Sequence, residues 1–371
     1  MKKIFYLLMI ANFAFTNCKK KTTEPVPEPG PTPTGPTYAI PSTYSFSIVN
    51  YNGQTTRLDM VSEMKTYMNT GNTMGTVLNA QKLKDMYQNI NNQFTSSSLN
   101  TSGKDIKSKV FLPDQNAYES FIDSLVASST STVAGSNGMA GVIVSTSNST
   151  KKYLFDKNGI EWIQVIEKGL MGSLMYYQTT AVYLDAAKIG NGVDNTTIVA
   201  SEGTAMEHGW DEAFGYFGVP VDFPANTTGI RFWGKYCNDR NAVLGINATL
   251  MNAFIKGRAA ISNKDYATRD TQVTIIRDTW EKVIASTIIS YVNSTKLNLT
   301  DDAIRNHNLS EVKGFIMNFR CNPTKKISAS QITQLENLLG NNFYNITTSN
   351  LDQIRDLLAP IYGLESVKTS L

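Results

Sequence analysis

GIEWIQVIEKGLMGSLMYYQTTAVYLDAAKIG, residues 159–190, is the longest stretch of the chain that keeps a helical period. Ile163, Glu167, Leu170 and Leu174 fall at i, i+4, i+7 and i+11 and therefore share one face. Three of these are apolar and one is a carboxylate. A carboxylate on an inner face needs a cation or hydrogen-bond donors, unless it lies at the edge of the stripe and reaches solvent. Both readings of Glu167 stay open, and Lys168 could partner it only by curving round the helix. Gly169 and Gly172 each weaken a helix interior by roughly 0.5–1 kcal/mol relative to Ala. They fit the close approach of a second helix that itself carries polar groups.

Downstream the period stays helical in VLGINATLMNAFIKGRAAI (243–261), DTQVTIIRDTWEKVIASTIISYVNST (270–295), TDDAIRNHNLSEVKGFIMNF (300–319), ISASQITQLENLLG (327–340) and NLDQIRDLLAPIYG (350–363). Ser328 with Gln331 reads as a capping box, and Gly190, Gly340 and Gly363 read as helix ends. Upstream, Leu58, Val61, Met64 and Met68 suit one short helix and LNAQKLKDMYQNI (78–90) another. TYSFSIVNYNGQTTRL (43–58) alternates around Asn52-Gly53 and predicts a small N-terminal β-hairpin. Residues 95–104 and 128–150 read as loops, with a short extended run at GMAGVIVS. The expected class is all-α: packed helical bundles decorated by that hairpin.

MKKIFYLLMIANFAFTNC sets a basic start and an apolar stretch before Cys18. It reads as a signal peptide over 1–17, with Cys18 as the lipidated residue of a bacterial lipoprotein. Residues 18–40 form a Pro- and Thr-rich tether with little to bury, and 41–371 the helical body. The expected partners are a membrane, through the lipid anchor, and an envelope transport partner. The outer membrane is the expected address, with periplasmic and surface facing both open. Loss of Lys2 and Lys3 takes the formal charge from +3 to +1, which gives no electrostatic reason for nucleic-acid binding. Cys237 and Cys321 are too few for a disulfide scaffold or a thiolate cage, and they read as one disulfide or two buried thiols.

EGTAMEHGWDEAFGYFGVP (202–220) carries one of only two histidines. Trp210, Phe214 and Phe217 form an apolar stripe, opposite His208, Asp211, Glu212 and Gly215. An imidazole with carboxylates at i+3 and i+4 can present one nitrogen and two oxygens to a small cation; the bland alternative is an ordinary polar face. The expected metal ligands are His208, Asp211, Glu212 and Glu167, with Glu207, Arg231, His307 and Glu311 as supporting positions around them. Mixed oxygen and imidazole donors suit a divalent Fe, Zn or Mn about equally. RFWGKY (231–236) reads as an anion-binding or, rather, an interhelical packing segment. His307 and Glu311 repeat the i, i+4 spacing of His208 and Glu212.

The chain lacks an HExxH zinc-protease pair, a Gly-x-Ser-x-Gly elbow, a phosphate loop and a dinucleotide fingerprint. EKGLMGSLMYYQ (167–178), EHGWDEAFGYFGVP (207–220), FIKGRAAI (254–261) and HNLSEVKGF (307–315) together resemble an uncharacterised lipoprotein family of Bacteroidetes-type bacteria. HGWDEAFGYFG is its most specific block, and the family is distantly similar to imelysin-like proteins. The resemblance implies two packed helical units, a Gly-x-His-x-x-Glu motif near their contact, and iron uptake or handling. His208 matches the motif histidine and Asp211 stands in place of its glutamate, while Met206 replaces its glycine. The expected function is a non-enzymatic binding or accessory lipoprotein in iron or other metal handling. A glycan- or peptide-binding outer-membrane lipoprotein and a metal-dependent hydrolase are the rival readings.

Overall fold

The structure is a computed structural model that describes residues 37–371. The expected signal peptide, the lipidated Cys18 and the tether up to residue 36 lie outside the described residues. The helices begin earlier than the alternating pattern predicts. α1 spans Asn52–Asn69, so the hairpin expected over 43–58 does not form. Gln54, Leu58, Val61 and Met64 make one buried helical face that outweighs the short alternation before it. Tyr44 still buries its ring and Phe46 part of its own, but against helices instead of a paired strand. The Tyr44 ring stacks on Phe214 with centroids 3.8 Å apart, and its backbone N–H donates to the Val221 carbonyl at 2.8 Å.

α2 (Ala80–Gln88), the single turn α3 (Ser97–Asn100) and α4 (Gln115–Ser129) follow. The antiparallel hairpin instead joins β1 (Gly141–Val144) to β2 (Lys152–Phe155). The extended run expected at GMAGVIVS supplies β1; β2 had no signal of its own. α5 (Trp162–Leu170) then continues through two π-helical segments, Met171–Tyr176 and Gln178–Tyr183, to the short α6 (Ala186–Ile189). The body is completed by α7 (Ala205–Gly215), α8 (Trp233–Leu244), α9 (Ile246–Ser262), the 32-residue α10 (Tyr266–Leu297), α11 (Asp302–Asn318), α12 (Ala329–Leu339) and α13 (Thr348–Ile361). The expected capping box at Ser328 and Gln331 is present at the start of α12. Apart from the one hairpin, the described body is helical.

α10 packs against α8, α9, α11 and α13, and α11 packs against α5. The glycines of the long run explain how closely. A Cβ on Gly172 would lie 1.8 Å from the Asn318 side chain, and one on Gly314 would lie 2.6 Å from the Lys168 Cβ. The polar neighbour expected beside these glycines is α11 at Gly172, while at Gly169 it is the Tyr118 hydroxyl of α4, 2.7 Å from where a Cβ would stand. Trp210, Phe214 and Phe217 are buried as expected. Phe217 meets Phe254 and Trp280 at 5.8 and 5.5 Å, and Trp233 meets Trp280 at 6.1 Å. Gly257 leaves room for Trp210, whose indole N–H donates to the Phe254 carbonyl at 2.9 Å. Ile40–Leu371 groups as one compact unit. Cys237 and Cys321 are two free, buried thiols, so the disulfide alternative is not formed. Burial pushes the Cys237 thiol up to about 12 and raises Cys321 as well, which leaves neither ionised at neutral pH.

Candidate functional site

Helix α7 is fixed at its start by a capping box in which Thr204 and Glu207 satisfy each other's backbone N–H groups. From there its polar residues diverge. Asp211 is fully buried and accepts from the Tyr44 hydroxyl at 2.6 Å and from Arg258 Nε at 2.9 Å. Arg258, on α9, also donates to Glu207 at 2.6 Å and to the Ile48 carbonyl at 3.1 Å, with Phe46 4.9 Å from its guanidinium. Burial lifts the Asp211 carboxyl to about 6, with Arg258 and the Tyr44 hydroxyl pulling the other way. This cluster clamps the segment around Tyr44–Ile48 onto α7 and α9. It uses two side chains expected at a cation site as structural anchors.

His208 and Glu212 face another way, into a polar cavity of about 400 Å³ lined by α1, the 103–109 loop, Tyr183 and Glu202. His208 Nε2 lies 3.8 Å from Glu212, while its Nδ1 is buried without a hydrogen-bond partner among the described residues. Glu212 accepts from Gln54 Nε2 at 2.9 Å. Gln54 is buried, and its Oε1 also has no partner among the described residues. Arg57, one turn on, is buried with its guanidinium on the carbonyls of Asp105 and Gly53 at 2.8 and 3.2 Å. It is in no ion pair among the described residues. Burial and the Arg57 charge lower the Lys109 ammonium below its ordinary range, against the pull of Glu212. Arg57, Lys104 and Lys109 thus share the lining with Asp105, Glu202 and Glu212, three cations with three carboxylates.

Glu167, His307 and Glu311 belong to a separate cluster between α5 and α11. Glu167 is buried and neither snorkels nor stands alone: Lys65 and Lys168 reach it at 2.7 and 2.8 Å. Lys168 does curve round, and lies 3.9 Å from Glu311. His307 uses both nitrogens, Nδ1 to Glu161 at 2.6 Å and Nε2 to Glu311 at 3.2 Å, with Tyr153 stacked on its ring. Tyr236 donates to Glu311 at 3.0 Å. Burial alone would lower His307, but the Glu161 and Glu311 charges raise it to about 9. Glu311 is pushed up by burial, yet Lys168 and His307 hold it down at about 2. Every charge here has an opposite neighbour, as a buried network requires.

The expected metal set is therefore not brought together. Asp211 is committed to Arg258 and Tyr44, Glu167 to two lysines, and only His208 and Glu212 share a cavity. Three cations balance the three carboxylates of that cavity, so its lining has no net negative charge to draw a bare divalent ion. Among the described residues no group of three or more His, Cys, Asp or Glu side chains is arranged to hold a metal. The residues present do not fit an iron, zinc or manganese centre. Of the supporting positions, Glu207 pairs with Arg258, Arg231 pairs with Asp59 of α1, and His307 and Glu311 pair with each other.

Gln54, Arg57, Lys109, Arg258 and Glu161 are the cavity-lining and anchoring residues that the sequence reading missed. A signal existed for three of them. Gln54 and Arg57 interrupt the apolar face of Leu58 and Val61, the same argument that singled out Glu167, but the hairpin reading of 43–58 concealed it. Arg258 lies on the face of Phe254 and Ile261.

The fold and site together define a helical protein with a charge-balanced polar cavity. The chain belongs to the family described as a domain of unknown function (DUF4856), whose profile matches residues 41–365. No curated protein and no solved structure matches it.

Proposed function

We propose that the protein is a non-enzymatic binding protein of the cell envelope, tethered by a lipid on Cys18, and that it takes a small zwitterionic molecule into the His208–Glu212 cavity. An amino acid or a short peptide has the chemistry required. The observation that carries this reading is the lining: a buried Arg57 with no carboxylate partner beside two partnerless buried acceptor-capable atoms, Gln54 Oε1 and His208 Nδ1. A buried guanidinium is costly unless an anion reaches it, and a ligand carboxylate supplies one. Gln54 Oε1 and Glu212 supply acceptors for a ligand ammonium. The volume suits a small solute, and a ligand with both signs matches a lining with both signs.

The anchor reading rests on the basic, apolar and cysteine series that ends at Cys18, followed by the Pro-rich tether. Calorimetry of the purified full chain against amino acids and dipeptides tests the ligand. Glu212→Gln and Lys109→Met are each expected to weaken binding by about tenfold or more, the worth of one charge-assisted hydrogen bond. Absence of binding by wild type, or binding as tight as wild type's in both variants, overturns the reading. Cys18→Ser is expected to release the protein into the soluble fraction, and unchanged membrane association overturns the anchor.

A further inference from the structure

A second cavity, about 650 Å³, lies between α4, the start of α5, the end of α11 and the end of α12. One wall is aromatic. Trp162 and Phe121 stack with centroids 5.2 Å apart at 27°, both rings only partly buried. The Trp162 indole N–H donates to Asp156 at 3.1 Å, which fixes the ring's orientation. Ile316 and Leu339 extend the apolar surface. Of the four tryptophans, Trp210, Trp233 and Trp280 are fully buried in the core, so Trp162 is the indole that a solute in this cavity can meet.

The polar side of the cavity carries two cations, Lys313 and Arg320, with two carboxylates, Asp114 and Glu336. Arg320 is paired with Asp114 at 3.2 Å. Lys313 is half-buried and makes no hydrogen bond or ion pair among the described residues. Burial lowers its ammonium, and the Glu336 and Asp156 charges offset this only in part. The buried cluster around His307 shows the contrast: there Lys168 has two carboxylate neighbours. A half-buried ammonium with no bonded carboxylate, beside a flat apolar wall, is free to donate to an anion. Lys313 has the donors, and the ring faces of Trp162 and Phe121 give an adjacent apolar plane.

We infer that this cavity is a second ligand site, distinct from the His208–Glu212 cavity, for a small organic carboxylate with a flat apolar face. The carboxylate would sit on Lys313 and the flat face against Trp162 and Phe121. An aromatic acid and an acidic sugar share this chemistry, since the C–H face of a sugar ring also packs on indole. The probes that separate them are phenylacetate and glucuronate, each beside its neutral counterpart, phenylacetamide and glucose.

The test follows indole fluorescence of the full chain during titration, with calorimetry in parallel. A saturable change with at least one acid is expected, and binding of its neutral counterpart is expected to be weaker by about tenfold or more. Phenylacetate alone assigns the aromatic source and glucuronate alone the sugar. Lys313→Met is expected to weaken the acid to the level of the neutral probe. Trp162→Phe is expected to abolish the optical signal while calorimetry still reports binding, and Glu212→Gln to bind as wild type does. Three outcomes overturn the site: no binding of either acid, equal binding of acid and neutral probe, or loss of binding in Glu212→Gln. The acid–neutral comparison needs no variant, so a misfolded Lys313→Met leaves the inference open to refutation.

Discussion

Two histidines stand four residues before a glutamate on two helices of this protein, and the two pairs have opposite fates. On α11, His307 has Glu311 on one nitrogen and Glu161 on the other, inside a network that reaches Lys168, Glu167 and Lys65. On α7, His208 has only the longer contact to Glu212, and its Nδ1 lies partnerless at a cavity wall. The spacing is the same, so it cannot be what makes a site. What differs is the element opposite. α5 brings Glu161 and Lys168 to α11, whereas α1 brings a neutral amide and an unpaired guanidinium to α7. A saturated pair holds helices together, and an unsaturated one is free to hold a ligand.

The largest effect expected from this contrast comes from removing one member of the saturated network. Glu161 is fully buried, and Glu161→Ala leaves the His307 charge with Glu311 alone. The expected loss is about 3–5 kcal/mol, the range for breaking a buried ion pair, measured by denaturant unfolding. A loss under about 1 kcal/mol would place the pair with exposed ones and dissolve the distinction.

The next effect is on pH. His307 is raised from 6.5 to about 9, so its stabilising contribution is complete below pH 6.5 and is lost as the pH rises through about 9. Glu311 is lowered from 4.5 to about 2, so its contribution is complete above pH 4.5 and is lost as the pH falls through about 2. Stability from the pair is therefore greatest between about pH 4.5 and 6.5 and declines on the alkaline side. His307→Gln should flatten the alkaline decline of the melting temperature. An alkaline slope unchanged in that variant would show that another group sets it.

The smallest effect belongs to α7. His208 and Glu212 are part-exposed, at 27% and 21% of their side-chain surface, and 3.8 Å apart. His208→Gln is expected to change stability by no more than about 1 kcal/mol. Its readout is ligand binding in the cavity. Titration with Fe(II), Zn(II) and Mn(II) sharpens the same point: no binding that depends on His208 is expected. Tight metal binding lost in His208→Gln would reinstate the cation site and displace the zwitterion reading.

Much of the helical body was legible because a helix must bury one stripe, and residues three and four apart report that stripe directly. The capping box of α12 and the burial of Trp210, Phe214 and Phe217 followed from local pattern in the same way. The N-terminal segment was misread because alternation over a few residues fits a strand and also a chain laid on a helix. Tyr44 and Phe46 alternate whether their partner is a β-ladder or Phe214 and Arg258. The π-helical winding of Met171–Tyr176 and Gln178–Tyr183 also left no mark in the period.

Sequence by itself determined the helical class, the polar interruption at Glu167 and the need for close approach at Gly169 and Gly172. Each is a property of one helix and its own repeat. Only the tertiary structure decided that Asp211 turns to Arg258, that Glu167 turns to Lys65, and that Gln54 and Arg57 face His208. A charge's partner is whichever opposite group folding brings within a few ångströms, and that group can lie more than a hundred residues away, as Glu161 does from His307. Coulomb energy depends on distance in space and on burial, and neither is written in the spacing along one chain segment.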